Sequence, residues 1–376
     1  MSTINKSMIC KAPFTSQVVW TSGEVQMCCN DQPSEKQYSL EDEWNSESRK
    51  QARREWLSGE IPDRCKSCVK RMESGDATLP VWYDKIIETV ELTEEVSMPV
   101  YLHMSPSNQC NLACRMCNGE ISSTYDKLIC DSSNGERHND IVEYVKKCLP
   151  KLEHYVFHGG DPMFYKDFLR VVEVLKGRKD DLYINVITNG THHKSDGVDM
   201  IPHLKEFKNL KVTFSIDSIG KYNDYMRTLT KTSRVVDNFN KWCREVPHAE
   251  MSIHTITTNI SSLGIVEHLR NIYNSDMFDR VDAFSHFMVD WPVEYRVHNQ
   301  PPAMRQRVLD SINEFRDEVE SYIGADIETA KNILINIERQ FERPFDIKEW
   351  AMFLKKNKEH DVLSKSDTSI IEIMKV

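Results

Sequence analysis

From about residue 97 onward, short apolar runs alternate with amphipathic stretches, the pattern of repeated strand–helix units. The runs are Pro99–Met104, Tyr155–His158, Tyr183–Thr188, Lys211–Asp217, Met251–Thr257 and Val281–Val289. The fourth is the clearest. Leu210, Val212, Phe214 and Ile216 alternate with Lys211, Thr213 and Ser215, which gives a strand one apolar and one polar face. Between the runs, helical spacing predicts helices near Ile141–Cys148, Phe164–Leu175, Thr232–Arg244 and Ile265–Tyr273. Six such units predict an α/β fold whose parallel sheet curls into an open, partial (β/α)6 TIM-type barrel. A flat doubly wound sheet has the same periodicity. In either architecture, functional groups gather beyond the C-terminal ends of the strands.

The flanks read differently. Val18-Val19-Trp20 and Glu24-Val25-Gln26-Met27 bracket Thr21-Ser22-Gly23, the pattern of a β-hairpin. A charged helix is expected from Ser46 to Leu57, closed by Gly59 and Pro62. Beyond Pro301-Pro302, helices are expected over Arg305–Tyr322, Ile327–Phe341 and Ile347–Leu354. Three units follow: a small cysteine-rich hairpin and helix region over 1–95, the partial barrel over 96–300, and a helical extension over 301–376.

Composition narrows the class. The 376 residues carry a formal charge of −10, with 40% apolar and 28% charged side chains. That balance suits a globular chain and argues against a nucleic-acid surface as its main feature. There is no apolar run long enough to span a bilayer, and the N-terminal Met-Ser-Thr-Ile-Asn-Lys-Ser lacks the apolar core of an export signal. The unusual feature is cysteine, at eleven residues. Without export, disulfides are disfavoured, and an odd count cannot pair completely within one chain. Metal or cluster ligation, nucleophilic catalysis and plain burial remain.

Spacing separates these. Residues 108–119 read Asn-Gln-Cys-Asn-Leu-Ala-Cys-Arg-Met-Cys-Asn-Gly, a Cys-x3-Cys-x2-Cys triplet directly after the first barrel strand. Three thiolates can hold three irons of a [4Fe–4S] cubane and leave the fourth open. Structural zinc instead takes four ligands, usually as two separated pairs. The triplet resembles the hallmark of the radical S-adenosylmethionine (radical SAM) superfamily, apart from Met116 where the family often has an aromatic residue.

Further segments resemble that family in order along the chain: His158-Gly159-Gly160-Asp161-Pro162, Thr188-Asn189-Gly190, Ser215-Ile216-Asp217 and Arg227. The resemblance implies that Cys110, Cys114 and Cys117 ligate the cluster. It also implies that Gly159, Gly160, Asp161, Asn189, Ser215, Asp217 and Arg227 surround S-adenosylmethionine. In such enzymes one electron cleaves the sulfonium, and the resulting 5′-deoxyadenosyl radical abstracts hydrogen from a substrate. A low-potential donor such as flavodoxin or ferredoxin, and an oxygen-protected cytoplasmic setting, are implied with it.

Cys10-x12-Gly23-x4-Cys28 is followed by Cys65-x2-Cys68. Four thiolates suit zinc. The arrangement is also similar to the SPASM/twitch unit of radical SAM enzymes, which binds an auxiliary [4Fe–4S] cluster but normally follows the barrel. That resemblance implies Cys10, Cys28, Cys65 and Cys68 as auxiliary ligands, with the cluster in electron transfer. Cys29, Cys130, Cys148 and Cys243 are read as spectators, and no catalytic side chain is assigned. His103, His158, His254 and His286 are placed in or beside strands, and Asp290–Tyr295 after the last one, where each either meets substrate or packs. The substrate is left open between a peptide or protein and a small molecule. The rival readings are a zinc-stabilised binding or scaffold protein on an inactive barrel, and a radical SAM enzyme with a structural zinc site at its N-terminus.

Overall fold

The computed structural model describes residues 9–31, 39–73, 83, 85–87, 90, 92–130, 140–274, 276–322 and 327–374. The first eight residues, read above for an export signal, lie outside the described residues. The strands are β1 (Ser16–Val19), β2 (Val25–Gln26), β3 (Tyr101–Met104), β4 (His154–Phe157), β5 (Tyr183–Thr188), the short β6 (Lys194–Ser195) and β7 (Val198–Asp199), β8 (Asn209–Ser215), β9 (Glu250–Thr257) and β10 (Ala283–Met288). Eight of them form one sheet in the order β10-β9-β8-β5-β4-β3-β1-β2, while β6 and β7 pair separately. Every pairing from β3 to β10 in the large sheet is parallel, and only β1–β2 is antiparallel.

Alternation explains which face each strand buries. In β8, Leu210, Val212 and Phe214 are buried, and in β5 Ile184, Val186 and Thr188 are. The apolar ones among them lie beneath the helices Ile141–Cys148, Phe168–Leu175 and Thr232–Glu245. Aromatic rings close that layer edge to face, with Phe239 5.0 Å from Phe214 and 5.1 Å from Phe278. The opposite face is more polar. It carries His103 and Asn185, and Thr213 donates to Asn185 Oδ1 at 3.0 Å. A sheet with one dry and one polar face leaves the polar face for a ligand or another part of the chain.

Part of that face is covered by the N-terminal segment. Tyr101, Val156 and Ile187 pack with Cys10, Phe14, Trp56 and Tyr83. The same segment extends the sheet, because β1 pairs in parallel with β3, Ser16 opposite Tyr101 through Val19 opposite Met104. A buried ion pair anchors it: Arg49, with no exposed side-chain surface, meets Glu43 at 2.7 Å and donates to the Ser16 carbonyl at 2.7 Å. Arg49 lies on the helix Glu47–Ser58, whose N-terminus Ser46 caps and whose C-terminus Gly59 ends in the left-handed region at φ +84°.

The C-terminal helices form two further layers. Pro302–Val319 and Ile327–Phe341 pack on Ile265–Tyr273, and Ile347–Leu363 packs with Ile370–Met374 against Tyr225, Met226 and Tyr295. Tyr295 stacks edge to face on Phe353 at 5.3 Å, whereas Trp291 is 67% exposed. The segment after the last strand is thus divided between packing and solvent. Among the described residues, no helix is long and apolar enough to cross a membrane.

Glu43→Gln keeps the shape of the anchor but leaves the Arg49 charge buried without its counter-ion. The expected loss of stability is about 3–5 kcal/mol, read as a lower urea midpoint by fluorescence.

Candidate functional site

The cysteine triplet sits in a loop that leaves β3 and has little regular structure, so its backbone groups bond elsewhere. Gly160 N–H donates to the Ser107 carbonyl at 2.9 Å and Asp161 N–H to the Gln109 carbonyl at 2.8 Å. Farther along, Ala113 N–H donates to the Thr228 carbonyl and Arg115 N–H to the Met226 carbonyl. Side chains complete the frame: Ser122 and Thr124 donate to the carbonyls of Leu112 and Cys110 at 2.6 Å each. The loop is therefore gripped by the end of β4 and by the segment that carries Arg227.

The three thiols open on one cavity of about 220 Å³. Gly159, Gly160, Asn189, Ser215 and Arg227 line the same cavity. Asp161 and Asp217, expected beside them, are buried and occupied by protein partners. Asp161 accepts from Thr188 Oγ1 at 2.8 Å, Asn189 N–H at 2.6 Å and Met163 N–H at 3.0 Å. Burial raises its carboxyl to about 6 against the pull of those donors. Asp217 grips Arg227 through both carboxylate oxygens, at 2.8 and 2.9 Å, and also accepts from Ile256 N–H at 3.0 Å. These two acids orient the cavity wall: Asp161 ties the end of β4 to the end of β5, and Asp217 aims the guanidinium.

Burial pushes each triplet thiol up to about 12. At Cys110 the neighbouring Asp161 and Cys114 add to the effect, and at Cys117 Cys110 does. The cations work the other way: Arg227 lowers Cys114 and Cys117, and Lys356 lowers Cys117. Thiols of this kind bind metal only by releasing protons, and the two cations offset the charge that thiolates would bring. Asn189 Nδ2 reaches Cys110 Sγ at 3.7 Å and Asn111 Oδ1 at 2.9 Å, joining the end of β5 to the loop.

Of the strand histidines, His158 alone lines the cavity. Its Nδ1 lies 3.0 Å from His103 Nε2. Burial, then His158, lowers His103 to about 3; burial, then His254, lowers His158 to about 4. Both rings are neutral at pH 7, so a single proton lies between them. His254 pairs with Ser285 Oγ at 2.8 Å and His286 with Thr257 Oγ1 at 2.7 Å.

Sequence reasoning passed over Asn111, Arg115 and Lys356. The first two stand inside the triplet motif, where a polar or charged side chain in a buried loop is itself a signal. Lys356 has no such local signal.

The N-terminal thiols also gather. Cys28 feels Cys29 and Cys10, Cys29 feels Cys68, and Cys65 feels Cys68. Cys29, read as a spectator, belongs to this neighbourhood. The Cys28 loop is clipped to Cys65 by Arg64, whose Nη2 donates to Asp31 Oδ2 at 2.9 Å. Cys148 and Cys243 are buried in helices and Cys130 is exposed. Among the described residues, no three His, Cys, Asp or Glu side chains converge tightly enough for a single metal ion.

The two glycines after β4 carry a steric requirement. A Cβ on Gly160 would stand 2.3 Å from the Gln109 carbonyl oxygen, and Gly159 adopts φ +123° with Ser107 O 2.8 Å from its Cβ position. Gly160→Ala must therefore displace the cysteine loop, at an expected cost of about 1–3 kcal/mol. Hydrogen–deuterium exchange over residues 107–119 should speed up while far-UV circular dichroism keeps its helical signal.

Solved structures similar to this chain include anSMEcpe with bound AdoMet, at 20% identity over 59% of this chain and 61% of that one, with TM-score 0.41. Streptococcus suis SuiB bound to S-adenosylmethionine is 14% identical over 77% of this chain and 63% of its own, with TM-score 0.43. The same protein bound to precursor peptide SuiA is 15% identical over 73% and 58%, with TM-score 0.42. The chain thus spans between 58% and 63% of the length of these proteins. No curated protein matches it. Residues 104–269, which begin at the last residue of β3 and run through the triplet, the cavity wall and Arg227, match the radical SAM superfamily.

Proposed function

We propose that this chain is a radical SAM enzyme in which Cys110, Cys114 and Cys117 hold a [4Fe–4S] cluster. The observation that carries the reading is the shared cavity: three thiols open on the space that Gly159, Gly160, Asn189, Ser215 and Arg227 also line. Soft thiolate donors suit an iron–sulfur cluster, and three of them leave one iron for a further ligand. When bound, the cluster and S-adenosylmethionine supply the one-electron sulfonium cleavage and the 5′-deoxyadenosyl radical that takes hydrogen from substrate. Arg227, aimed by Asp217, is the cation for the S-adenosylmethionine carboxylate. The backbone at Gly159 and Gly160 is open to the amino group, and Ser215 and Asn189 are the polar side chains for the nucleoside. Asp161 and Asp217 act by holding the wall in place.

His158 contributes an uncharged hydrogen-bonding nitrogen to the same wall. With Nδ1 engaged by His103, its Nε2 is the ring atom left for a bound molecule, and a neutral imidazole suits a hydroxyl or amide group on the substrate. The partial (β/α)6 barrel is supported by six parallel strands in sequence order with helices between them. Cys10, Cys28, Cys65 and Cys68 fit an auxiliary [4Fe–4S] cluster, a reading supported by the packing of Cys10, Cys28 and Cys65 in one group with Tyr101 and Val156 and by the nearness of Cys68 to Cys65. Four protein ligands would close that cluster to substrate, so it serves in electron transfer, alongside a low-potential donor such as flavodoxin or ferredoxin.

Anaerobically reconstituted protein should bind about eight iron atoms, falling to about four when the triplet cysteines are replaced by alanine. With dithionite and S-adenosylmethionine, the wild-type protein should release 5′-deoxyadenosine, and the triplet variant none by liquid chromatography. Zinc without iron after reconstitution would sink the proposal. A triplet variant that loses all iron would assign the N-terminal thiols to zinc.

A further inference from the structure

We propose that the C-terminal helix Ile347–Leu363 is a positioning element of the cysteine loop, fixing the residues on both sides of Cys114 through Asn357, His360 and Asp361. The inference rests on the reading of Cys110, Cys114 and Cys117 as cluster ligands, and it gives the helical extension a place in that site.

The contacts are built around Arg115, whose side chain has no exposed surface. Its Nε donates to the Tyr225 carbonyl at 2.8 Å, and its Nη1 to the Asn357 carbonyl and Oδ1 at 3.3 and 3.2 Å. Its Nη2 meets Asp361 Oδ1 at 2.6 Å, and the guanidinium lies 3.6 Å from the centre of the Tyr225 ring. On the other side of Cys114, His360 Nε2 donates to the Ala113 carbonyl at 2.9 Å. Asn357, His360 and Asp361 are spaced so that they share one helix face. Lys356, beside them, pairs with Glu294 at 2.8 Å.

The opposite side of the loop is held at the same two residues, since Ala113 N–H donates to the Thr228 carbonyl and Arg115 N–H to the Met226 carbonyl. Cys114 therefore sits between two residues that are each fixed by backbone on one side and by the C-terminal helix on the other. These helix contacts join positions 242 to 247 residues apart. A helix that only covered an apolar face would have no use for a wholly buried arginine that makes four hydrogen bonds through one planar group. Asp361 Oδ2 also accepts from Ile370 N–H at 2.9 Å, which ties the last helix to the same point.

The test uses the full chain, first without metal. In Asp361→Asn the amide oxygen still accepts from Ile370, but the charge that pairs with Arg115 is gone. Hydrogen–deuterium exchange at 109–119 should then speed up by about ten-fold, with exchange in the β4, β5 and β8 strands unchanged. Asp361→Glu restores the ion pair and should return exchange toward wild type. Lys355→Ala, whose side chain is exposed on the same helix, should have no effect. After anaerobic reconstitution, Asp361→Asn should lack about four iron atoms. It should also lose the change in the reduced electron paramagnetic resonance spectrum that S-adenosylmethionine induces in wild type.

If Asp361→Asn fails to fold by circular dichroism, Arg115→Lys decides, because an ammonium cannot reach Tyr225, Asn357 and Asp361 together. Unchanged exchange and full iron in the folded variants would overturn the proposal. A wild-type protein that takes up no iron would overturn the function proposed above, while the exchange result would still judge the helix.

Discussion

A loop that presents three thiols to one cavity, with little helix or strand of its own, has to satisfy its backbone through distant segments. In this protein the Cys110–Cys117 loop does so on three sides: the turn after β4, the segment 226–228, and the C-terminal helix. Each side tolerates little change. The first needs a residue without a side chain at 160, because Gln109 O would stand 2.3 Å from any Cβ. The third needs the Arg115 guanidinium to meet Tyr225, Asn357 and Asp361 together. The shape of the cavity, and so of whatever it binds, follows from these backbone contacts more than from the cysteines themselves.

Charge follows the same plan. Three thiols in a buried loop stay protonated well above neutral pH, and nearby cations ease their conversion to thiolates. Arg227 and Lys356 are those cations. Each is tied to a carboxylate, Arg227 to Asp217 and Lys356 to Glu294, which holds the charge in position and limits the cost of burying it. The acids at 161 and 217 lie beneath the cavity wall and act through Thr188, Asn189 and Arg227. The histidine pair His103–His158 supplies the uncharged polar surface beside them.

The N-terminal segment shares the sheet with the parallel strands β3 to β10, since β1 continues it beyond β3. Cys10, Cys28 and Cys65 pack with Tyr101, Val156 and Ile187 on the more polar face. That placement brings a cysteine-rich segment that precedes β3 in sequence onto the strands of the large sheet. The position of such a unit along the chain therefore has little bearing on where it docks: a parallel strand pair and one buried Arg49–Glu43 anchor decide that.

Local pattern alone determined much of the frame. Alternation located β5 and β8, and helical spacing located Ile141–Cys148, Ile265–Tyr273 and Ile327–Phe341, because burial on one face imposes a period that neighbouring residues must follow. The triplet was legible for a similar reason, as its ligands lie within a few residues of one another. Tertiary structure decided what long-range partners decide. The last long helix was expected to stop near Leu354 and runs to Leu363, because Lys355–His360 reads as a solvated stretch. Asn357 and His360 are nonetheless buried, since Arg115 and the Ala113 carbonyl satisfy them. Asp161 and Asp217 likewise read as ligand-binding residues, yet Asp161 accepts from Met163, Thr188 and Asn189, and Asp217 pairs with Arg227 and accepts from Ile256. Polar side chains become interior only when a partner distant in sequence meets their hydrogen bonds, and no local periodicity records that partner.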